Sequence, residues 1–159
     1  MLGALAAGVY YFGTDVEEET VKGNRELAGA LNLGDRVTLT TCPAEDYEVP
    51  EVDLIFTSPP YFDREVYSQS VAQSSKRYTH LGAWVRGFLY PVIEKAYRAS
   101  PVFVLNIADI KSKKETIPLV AITVKAAQRV GYKLVEVLTM PIGNLNRSIK
   151  GEPILVFRR

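Results

Sequence analysis

Short apolar runs alternate with longer amphipathic segments along most of the chain. The runs are rich in β-branched and aromatic residues and have the length of buried strands, whereas the amphipathic segments repeat their apolar positions with a helical period. Predicted strands cover 9–13, 36–41, 53–58, 101–107, 132–140 and 153–158, and predicted helices cover 1–8, 17–33, 83–98 and 117–130. This alternation predicts an α/β fold whose sheet carries helices on both faces.

Polar residues gather in the connections that follow the predicted strands. In α/β sheets, ligands bind outside the carboxyl ends of the strands. Four polar groups fall at such ends: Asp15, the pair Glu45 and Asp46, residues 58–61 and residues 106–109. We therefore expect a binding site at this rim of the sheet. Three connections are predicted to lack regular structure: the long polar segment 61–82, the charged segment 108–115 and the asparagine-rich segment 141–151.

Composition favours a single globular domain over residues 1–159. The chain has 47% hydrophobic residues and shows no internal repeat or linker. No apolar run is long enough to cross a membrane, and the apolar start lacks the basic leader of a signal peptide. One cysteine, Cys42, and one histidine, His80, argue against an internal disulfide and against a cysteine or histidine metal cluster. A cytoplasmic location is the default expectation.

The net charge of +1 hides a strong asymmetry along the chain. Residues 1–60 carry a net charge of −8, whereas residues 111–159 carry +7. An excess of basic residues such as that in 111–159 can hold a nucleic-acid phosphate backbone. A solvated basic face explains the same residues, and charge alone does not choose between the two.

The predicted strand at 53–58 ends in an unusually rigid turn, Ser58-Pro59-Pro60-Tyr61. The two prolines lack a backbone N–H, so regular strand pairing must stop there. The Ser58 hydroxyl and the carbonyls of Ser58 and Pro59 can accept hydrogen bonds from an amino group. The Tyr61 ring offers a surface on which a base can stack. A plain turn and a proline-rich recognition segment are the simpler alternatives.

This turn, preceded by Thr57, resembles the (Asp/Asn/Ser)-Pro-Pro-(Tyr/Phe/Trp) motif of the S-adenosylmethionine-dependent amino-methyltransferases. These enzymes methylate N6 of adenine or N4 of cytosine in DNA, and the serine form is commoner among the cytosine-N4 enzymes. The resemblance implies a Rossmann-like methyltransferase sheet with an antiparallel last strand, S-adenosylmethionine as cofactor and DNA as partner. The same turn type also serves enzymes that methylate RNA bases or a protein glutamine amide.

The resemblance also implies roles for acidic residues at two other strand ends. In the family, an acidic residue after the second strand binds the ribose hydroxyls of the cofactor, and Asp15, next to Thr14, matches it. Asp15 also suits a helix N-cap. A carboxylate after the third strand often meets the adenine of the cofactor. Glu45 and Asp46 match that position loosely, and a solvated loop explains them equally well.

For catalysis, the resemblance implies that Ser58 Oγ and the Pro59 carbonyl accept hydrogen bonds from the target amine while Pro60 keeps the turn rigid. Tyr61 would stack on a base flipped out of the duplex. Phe62 either forms another wall of the pocket or belongs to the core.

Two connecting segments, 62–80 and 141–150, are the candidate base-reading loops, because the length leaves no room for a large recognition domain. Their candidate phosphate or base contacts are Arg64, Lys76, Arg77, Asn144, Asn146, Arg147 and Lys150. Each of these residues also fits an ordinary solvated loop.

The sequence departs from the family pattern at its start. The family's first strand and its glycine-rich loop are expected immediately before residue 1, and that strand would lie between the strands at 9–14 and 53–58. Its absence leaves backbone edges to be covered. A start assigned at an internal methionine, a natural fragment, and a homodimer or partner chain that supplies the strand all remain open. A non-catalytic subunit is therefore the alternative to an active enzyme.

Overall fold

A computed structural model of the chain describes residues 1–62, 70–111, 116–142 and 150–159. The strands are β1 (Tyr11–Asp15), β2 (Val37–Thr41), β3 (Ile55–Thr57), β4 (Val102–Asn106), β5 (Ile110–Lys111), β6 (Thr116–Ile117), β7 (Lys133–Ile142) and β8 (Lys150–Arg158). The helices are α1 (Leu2–Ala6), α2 (Glu18–Ala30), α3 (Ser74–Arg77), α4 (Leu81–Trp84), α5 (Tyr90–Ala99) and α6 (Leu119–Val130).

The strands form a mixed arrangement in which the last strand runs antiparallel to its neighbours. Strands β1 and β2 pair in parallel, and so do β3 and β4. Strand β8 then pairs antiparallel with both β4 and β7, giving the order β3-β4-β8-β7. The predicted α/β architecture and the antiparallel last strand are both confirmed.

Within the described residues, β1 and β3 each pair on one side only, β1 with β2 and β3 with β4. Both strands also expose large apolar side chains: Phe12 on β1 is 43% exposed and Phe56 on β3 is 60% exposed. Large apolar side chains on a sheet are usually covered by other parts of the protein or by a partner. The one-sided strands β1 and β3 are therefore the two between which the family resemblance places a further strand.

The core is built on one face of β4 and β8 by the long helical segment that precedes β4. In this segment α4 continues through a π-helical turn, Val85–Leu89, into α5. Pro91 near the start of α5 has no amide hydrogen to donate to the preceding turn. The predicted apolar stripe of this helix is confirmed. The fully buried residues of the core include Trp84, Leu89, Ile93, Phe103, Leu105, Leu155 and Phe157.

The geometry at two helix ends explains why one predicted boundary, the start of β1, was wrong and another, the end of α6, was right. The first strand begins at Tyr11 instead of residue 9, because Gly8 adopts a φ of +75° and the Val9 amide donates to the Ala4 carbonyl at 3.2 Å. These contacts keep residues 8 and 9 in the C-terminal cap of α1. Gly131, with a φ of +113°, ends α6 as predicted.

The segment 108–115, predicted to be a loop, contains part of an antiparallel pair. Strand β5 within it pairs with β6 just after it. Asp109 Oδ1 also accepts a hydrogen bond from the Val120 amide at 3.0 Å, so this side chain satisfies a free N–H in the first turn of α6. The described part of this segment therefore contributes to a short strand pair and to the start of α6.

The buried hydroxyl of Tyr132 should make the stability of the core depend on pH in the alkaline range. Its hydroxyl donates toward the carbonyls of Ala96 and Ser100, each at 2.9 Å, and burial raises the pKa of Tyr132 to about 12. Because the unfolded phenol titrates near 10, this stabilisation is complete below pH 10 and is lost as the pH rises toward 12. Titration of Tyr132 should therefore lower the unfolding free energy of the wild type by about 1.4 kcal/mol between pH 8 and pH 11.

Tyr132→Phe should lose about 0.5–1.5 kcal/mol at pH 8, because the Ala96 and Ser100 carbonyls each lose one hydrogen bond and keep another, from the Ser100 amide and from Arg159 Nε. Its unfolding free energy should fall less steeply than that of the wild type as the pH rises to 11. Urea unfolding of both proteins at the two pH values measures the difference. Equal pH slopes would show that Tyr132 does not titrate as its environment requires.

Candidate functional site

The turn after β3 holds a polar side chain at the surface and an aromatic one against the core. Ser58 is exposed, whereas Pro59 behind it is buried. Phe62 adopts a φ of +55°, and its amide donates to the Pro60 carbonyl at 2.9 Å. A bulky side chain seldom adopts this backbone conformation, so surrounding contacts must hold it.

The contact that holds Phe62 is visible in the structure. Its ring meets the buried Trp84 ring edge-on, with the centroids 6.2 Å apart. Phe62 is half-buried and packs on the main core cluster. Of the two alternatives raised by the sequence, contact with the core is therefore observed, and the exposed part of the ring still lies beside the turn.

A hydrogen-bonded cluster joins this turn to the ends of β4 and β8. Ser58 Oγ donates to Asn106 Oδ1 at 3.1 Å. The Tyr61 hydroxyl lies 3.1 Å from the same oxygen and 3.0 Å from Glu152 Oε2. Asn106 Nδ2 donates to the Pro153 carbonyl at 3.2 Å. We call these four side chains, Ser58, Tyr61, Asn106 and Glu152, the rim cluster.

Strand pairing explains why the rim cluster forms. Thr57 is paired with Leu105 in the β3–β4 register, so Ser58 and Asn106 are the next residues along two parallel strands. Asn106 is paired with Ile154 across β4 and β8, which brings Glu152 to the same end. Sequence reasoning placed Asn106 at the rim without a role. It gave no signal for Glu152, which lies 91 residues from Tyr61.

A second group links the end of β1 to the loop after β2. The Thr14 hydroxyl donates to the Cys42 carbonyl. Asp15 Oδ1 accepts from the Glu17 amide at 2.9 Å, at the entrance to α2. Apart from this contact, Asp15 is exposed to solvent. The N-cap of α2 is Glu17 and not Asp15, so the helix N-cap suggested as the alternative role of Asp15 is wrong. The contact with the Glu17 amide uses one of the two carboxylate oxygens of Asp15.

In a third group, ion pairs join the two acidic residues of that loop, Glu45 and Asp46, to Arg77 of α3. Arg77 Nη1 lies 2.7 Å from Glu45 Oε1 and 2.7 Å from Asp46 Oδ2. The Glu45 side chain is only 3% exposed, and its burial raises the pKa of Glu45 despite the nearby guanidinium of Arg77. The Arg77 guanidinium also lies 5.6 Å from the centre of the Tyr78 ring.

Arg77 was a candidate phosphate contact, and its described partners are instead these two carboxylates. Four of the other candidate contacts, Arg64, Asn144, Asn146 and Arg147, lie outside the described residues. Lys76 is exposed on α3, as the prediction of a surface contact requires. The described basic residues of the C-terminal third are spread over β5, α6, β7 and β8, with Arg159 just after β8.

The described residues lack two further features, a membrane-spanning helix and a cluster of metal ligands. None of their helices has both the length and the apolar character that crossing a bilayer demands. Their histidine, cysteine, aspartate and glutamate side chains form no group of three that can hold a metal ion.

Comparisons with known proteins identify the fold. No protein-family model and no curated protein sequence matches the chain. Among crystal structures, it is similar to one assigned as an RNA methyltransferase from Pyrococcus horikoshii, with a TM-score of 0.60 and 15% identity over 94% of this chain and 63% of that one. It is also similar to one assigned as a DNA modification methylase from Thermus thermophilus, with a TM-score of 0.52 and 18% identity over 95% and 53% of the two chains.

A third similar structure is the magnesium protoporphyrin IX methyltransferase from Synechocystis PCC 6803 with bound S-adenosylmethionine. Its TM-score is 0.59, with 13% identity over 97% of this chain and 61% of that one. The chain therefore spans roughly half to two thirds of these three proteins. At such identities the comparisons establish a Rossmann-like methyltransferase fold, and the reaction must be argued from the site.

Proposed function

We propose that the protein transfers a methyl group from S-adenosylmethionine to an exocyclic amino group of a DNA base, cytosine N4 or adenine N6. The observation that carries the proposal is the position of the Ser58-Pro59-Pro60-Tyr61 turn. It follows β3 directly, at the carboxyl end of two parallel strands, and it presents an exposed hydroxyl there. Ligands of α/β folds bind at such ends.

The residues at the β1 end fit the ribose of the cofactor. Asp15 is exposed, and the entrance to α2 uses one of its carboxylate oxygens, so the other oxygen is available to ribose hydroxyls. Thr14 donates its proton to the Cys42 carbonyl and keeps lone pairs with which to accept a hydrogen bond. Glu45 and Asp46 are paired with Arg77, so cofactor binding through either carboxylate requires this ion pair to open.

The chemistry asks little of the protein beyond positioning. When bound, S-adenosylmethionine supplies a methyl group on a positively charged sulfur. The transfer would form an N–C bond with the lone pair of the amine nitrogen and would leave the electrons of the broken C–S bond on sulfur. The nitrogen then releases one proton to solvent. Ser58 Oγ and the Pro59 carbonyl accept hydrogen bonds from the amine, which raises its electron density, while Tyr61 stacks on the base.

DNA as the substrate rests on the serine-containing turn and on the basic C-terminal third of the chain. Phe62 provides an apolar wall beside the turn, and Arg64, Asn144 and Arg147 remain the proposed contacts to phosphates or bases. RNA bases and a protein glutamine amide carry the same kind of amino group. They are the alternative substrates.

A second candidate follows from β1 and β3, each of which pairs on one side only with the strands that the structure describes, and from the exposed Phe12 and Phe56 on them. We propose that a further strand pairs between β1 and β3, supplied by another segment or by a second chain, and that it completes the cofactor site. In that case residues 1–159 alone act as a subunit without activity. A homodimer is one way to supply such a strand.

The proposal is tested by titrating residues 1–159 with S-adenosylhomocysteine and then offering methyl-labelled S-adenosylmethionine with several acceptors. The acceptors are duplex DNA, RNA of the same sequence and a glutamine-containing peptide. We expect micromolar binding of the homocysteine compound, followed by label in DNA. Digestion to nucleosides and mass spectrometry should place the label on cytosine N4 or adenine N6.

Label found only in RNA or in the peptide would move the function to that alternative. Binding without transfer to any acceptor would contradict an amino-methyltransferase. Absence of binding would favour the subunit that needs another strand, and co-purification with a second chain, or a dimer in solution, would then identify its source.

A further inference from the structure

The rim cluster contains a buried amide whose orientation is fixed by the backbone. Asn106 is 4% exposed and ends β4 between the turn after β3 and the start of the β8 pairing. Its side chain therefore cannot exchange partners with water. Each of its two polar atoms must find a partner inside the protein.

The Pro153 carbonyl decides which way the amide faces. This oxygen accepts from Asn106 Nδ2 at 3.2 Å and from the Ile107 amide at 3.3 Å. The opposite orientation would place two acceptor oxygens, Asn106 Oδ1 and the Pro153 carbonyl, against each other. Asn106 Nδ2 therefore faces Pro153, and Asn106 Oδ1 faces Ser58 and Tyr61.

The amide orientation determines what the Ser58 hydroxyl can do. A hydroxyl has one proton, and Ser58 donates it to Asn106 Oδ1 at 3.1 Å. The remaining lone pairs of Ser58 Oγ then face away from the amide, and Ser58 is exposed. An approaching group must bring a hydrogen to bond with this oxygen, as an N–H does and as a deprotonated oxygen or a carbonyl does not.

Glu152 and Asn106 both contact the Tyr61 hydroxyl. The Tyr61 hydroxyl lies 3.0 Å from Glu152 Oε2 and 3.1 Å from Asn106 Oδ1, so its single proton is shared between two acceptors. This holds the phenol at the edge of the turn. A proton shared with Glu152 does not fix the Asn106 amide, so the amide orientation rests on the Pro153 contact.

We propose that Asn106 is a positioning residue that holds the Ser58 hydroxyl as a hydrogen-bond acceptor, and so selects substrates that present an amino hydrogen. The inference rests on the proposed function for its substrate, an amine. The orientation of the amide itself rests only on the contacts of Asn106. The two parts are therefore tested separately.

The first test measures methyl transfer with labelled S-adenosylmethionine and the DNA, RNA or peptide acceptor that the wild type uses. Asn106→Ala should lower kcat about 10-fold to 30-fold and leave the KM for the cofactor within twofold. The double variant Ser58→Ala/Asn106→Ala should lose no more than Ser58→Ala alone, because Asn106 acts through Ser58. Losses that multiply would overturn the proposal.

Asn106→Asp separates positioning from stability. An aspartate at this position, charged or protonated, offers Ser58 an acceptor oxygen, but it exchanges the favourable amide nitrogen at Pro153 for a second oxygen. We expect it to transfer methyl faster than Asn106→Ala, with no gain in thermal stability. Activity that follows melting temperature across the two variants would show a merely structural role.

Thr123→Val is the matched control for altering a buried polar side chain. Thr123 is fully buried in α6, and its hydroxyl has no hydrogen-bond partner among the described residues. This variant should leave kcat within twofold of the wild type. A loss as large as that of Asn106→Ala would mean that any change in the core impairs transfer, and would remove the support that kcat gives to the proposal.

The second test needs no methyl acceptor. In a Cys42→Ser background, Ser58→Cys places a single thiol against Asn106, and the rate of its alkylation by iodoacetamide against pH gives the thiol pKa. An amide oxygen accepts a bond only from the protonated thiol and therefore raises its pKa. An amide nitrogen donates to the thiolate and lowers it.

Adding Asn106→Ala should therefore lower the thiol pKa by about 0.5–1 unit. Adding Asn106→Asp should leave it raised. An unchanged or higher thiol pKa after Asn106→Ala would overturn the orientation of the amide. If the wild type methylates none of the acceptors while the thiol pKa behaves as expected, the proposed function fails and the role of Asn106 in holding Ser58 stands.

Discussion

Ser58→Ala should lower methyl transfer about 100-fold while the affinity for S-adenosylhomocysteine changes by less than twofold. In the proposed reaction the hydroxyl accepts its bond from the amine most strongly when charge develops on nitrogen, so its loss should act on the transition state and not on cofactor binding. Removing one such hydrogen bond costs about 2.7 kcal/mol of transition-state stabilisation. Single-turnover transfer and calorimetric titration measure the two quantities.

The control for Ser58→Ala is Thr38→Ala, which removes an exposed hydroxyl from β2, away from the turn. It should leave both transfer and cofactor affinity unchanged. Unaltered transfer in Ser58→Ala would show that the hydroxyl has no part in the reaction. A loss of cofactor affinity equal to the loss of transfer would place Ser58 in the cofactor site instead of the amine site.

Local chemistry made the Ser58 turn predictable. Two consecutive prolines end strand pairing wherever they occur, so residues 53–58 identified both the strand and its end. The structure shortens the strand to Ile55–Thr57 and keeps the turn where it was expected. The same reasoning located the end of α6 at Gly131, whose positive φ suits glycine.

The contacts of the site residues were not predictable, because they depend on distant pairing. Asn106 meets Ser58 across 48 residues, and Arg77 meets Glu45 across 32. No period or short motif in the sequence encodes such distances. Only the strand register brings Asn106 and Ser58 together, and only the placement of α3 brings Arg77 to the two carboxylates.

These contacts change how the acidic residues are to be interpreted. From the sequence, Glu45 and Asp46 were free carboxylates in a solvated loop or near the adenine of a cofactor. In the structure they neutralise one guanidinium, and Glu45 is buried. Burial of a charged group is tolerated when it is paired, so the loop after β2 has a structural task whether or not a cofactor also meets it.

Trp84 should be among the residues whose loss costs the most stability. It is fully buried, its indole N–H donates to Ser74 Oγ at 3.1 Å, and its ring packs against Phe88 with the centroids 5.2 Å apart. Trp84→Ala removes all of these contacts and leaves a cavity. The expected loss is about 3–5 kcal/mol of unfolding free energy, a large share of the roughly 5–15 kcal/mol typical of a domain.

Trp84→Phe should lose less than Trp84→Ala, because a phenyl ring fills part of the space. What it loses is the indole hydrogen bond to Ser74 and the packing of the larger ring. Val71→Ala, at a side chain that is 84% exposed, should stay within about 0.5 kcal/mol of the wild type. Urea unfolding followed by circular dichroism measures all three. The Phe62 ring also packs on Trp84, so Trp84→Phe should loosen the turn. The variant should therefore lose more transition-state stabilisation of methyl transfer than unfolding free energy. Full transfer by a folded Trp84→Phe variant would show that the turn keeps its shape without this support.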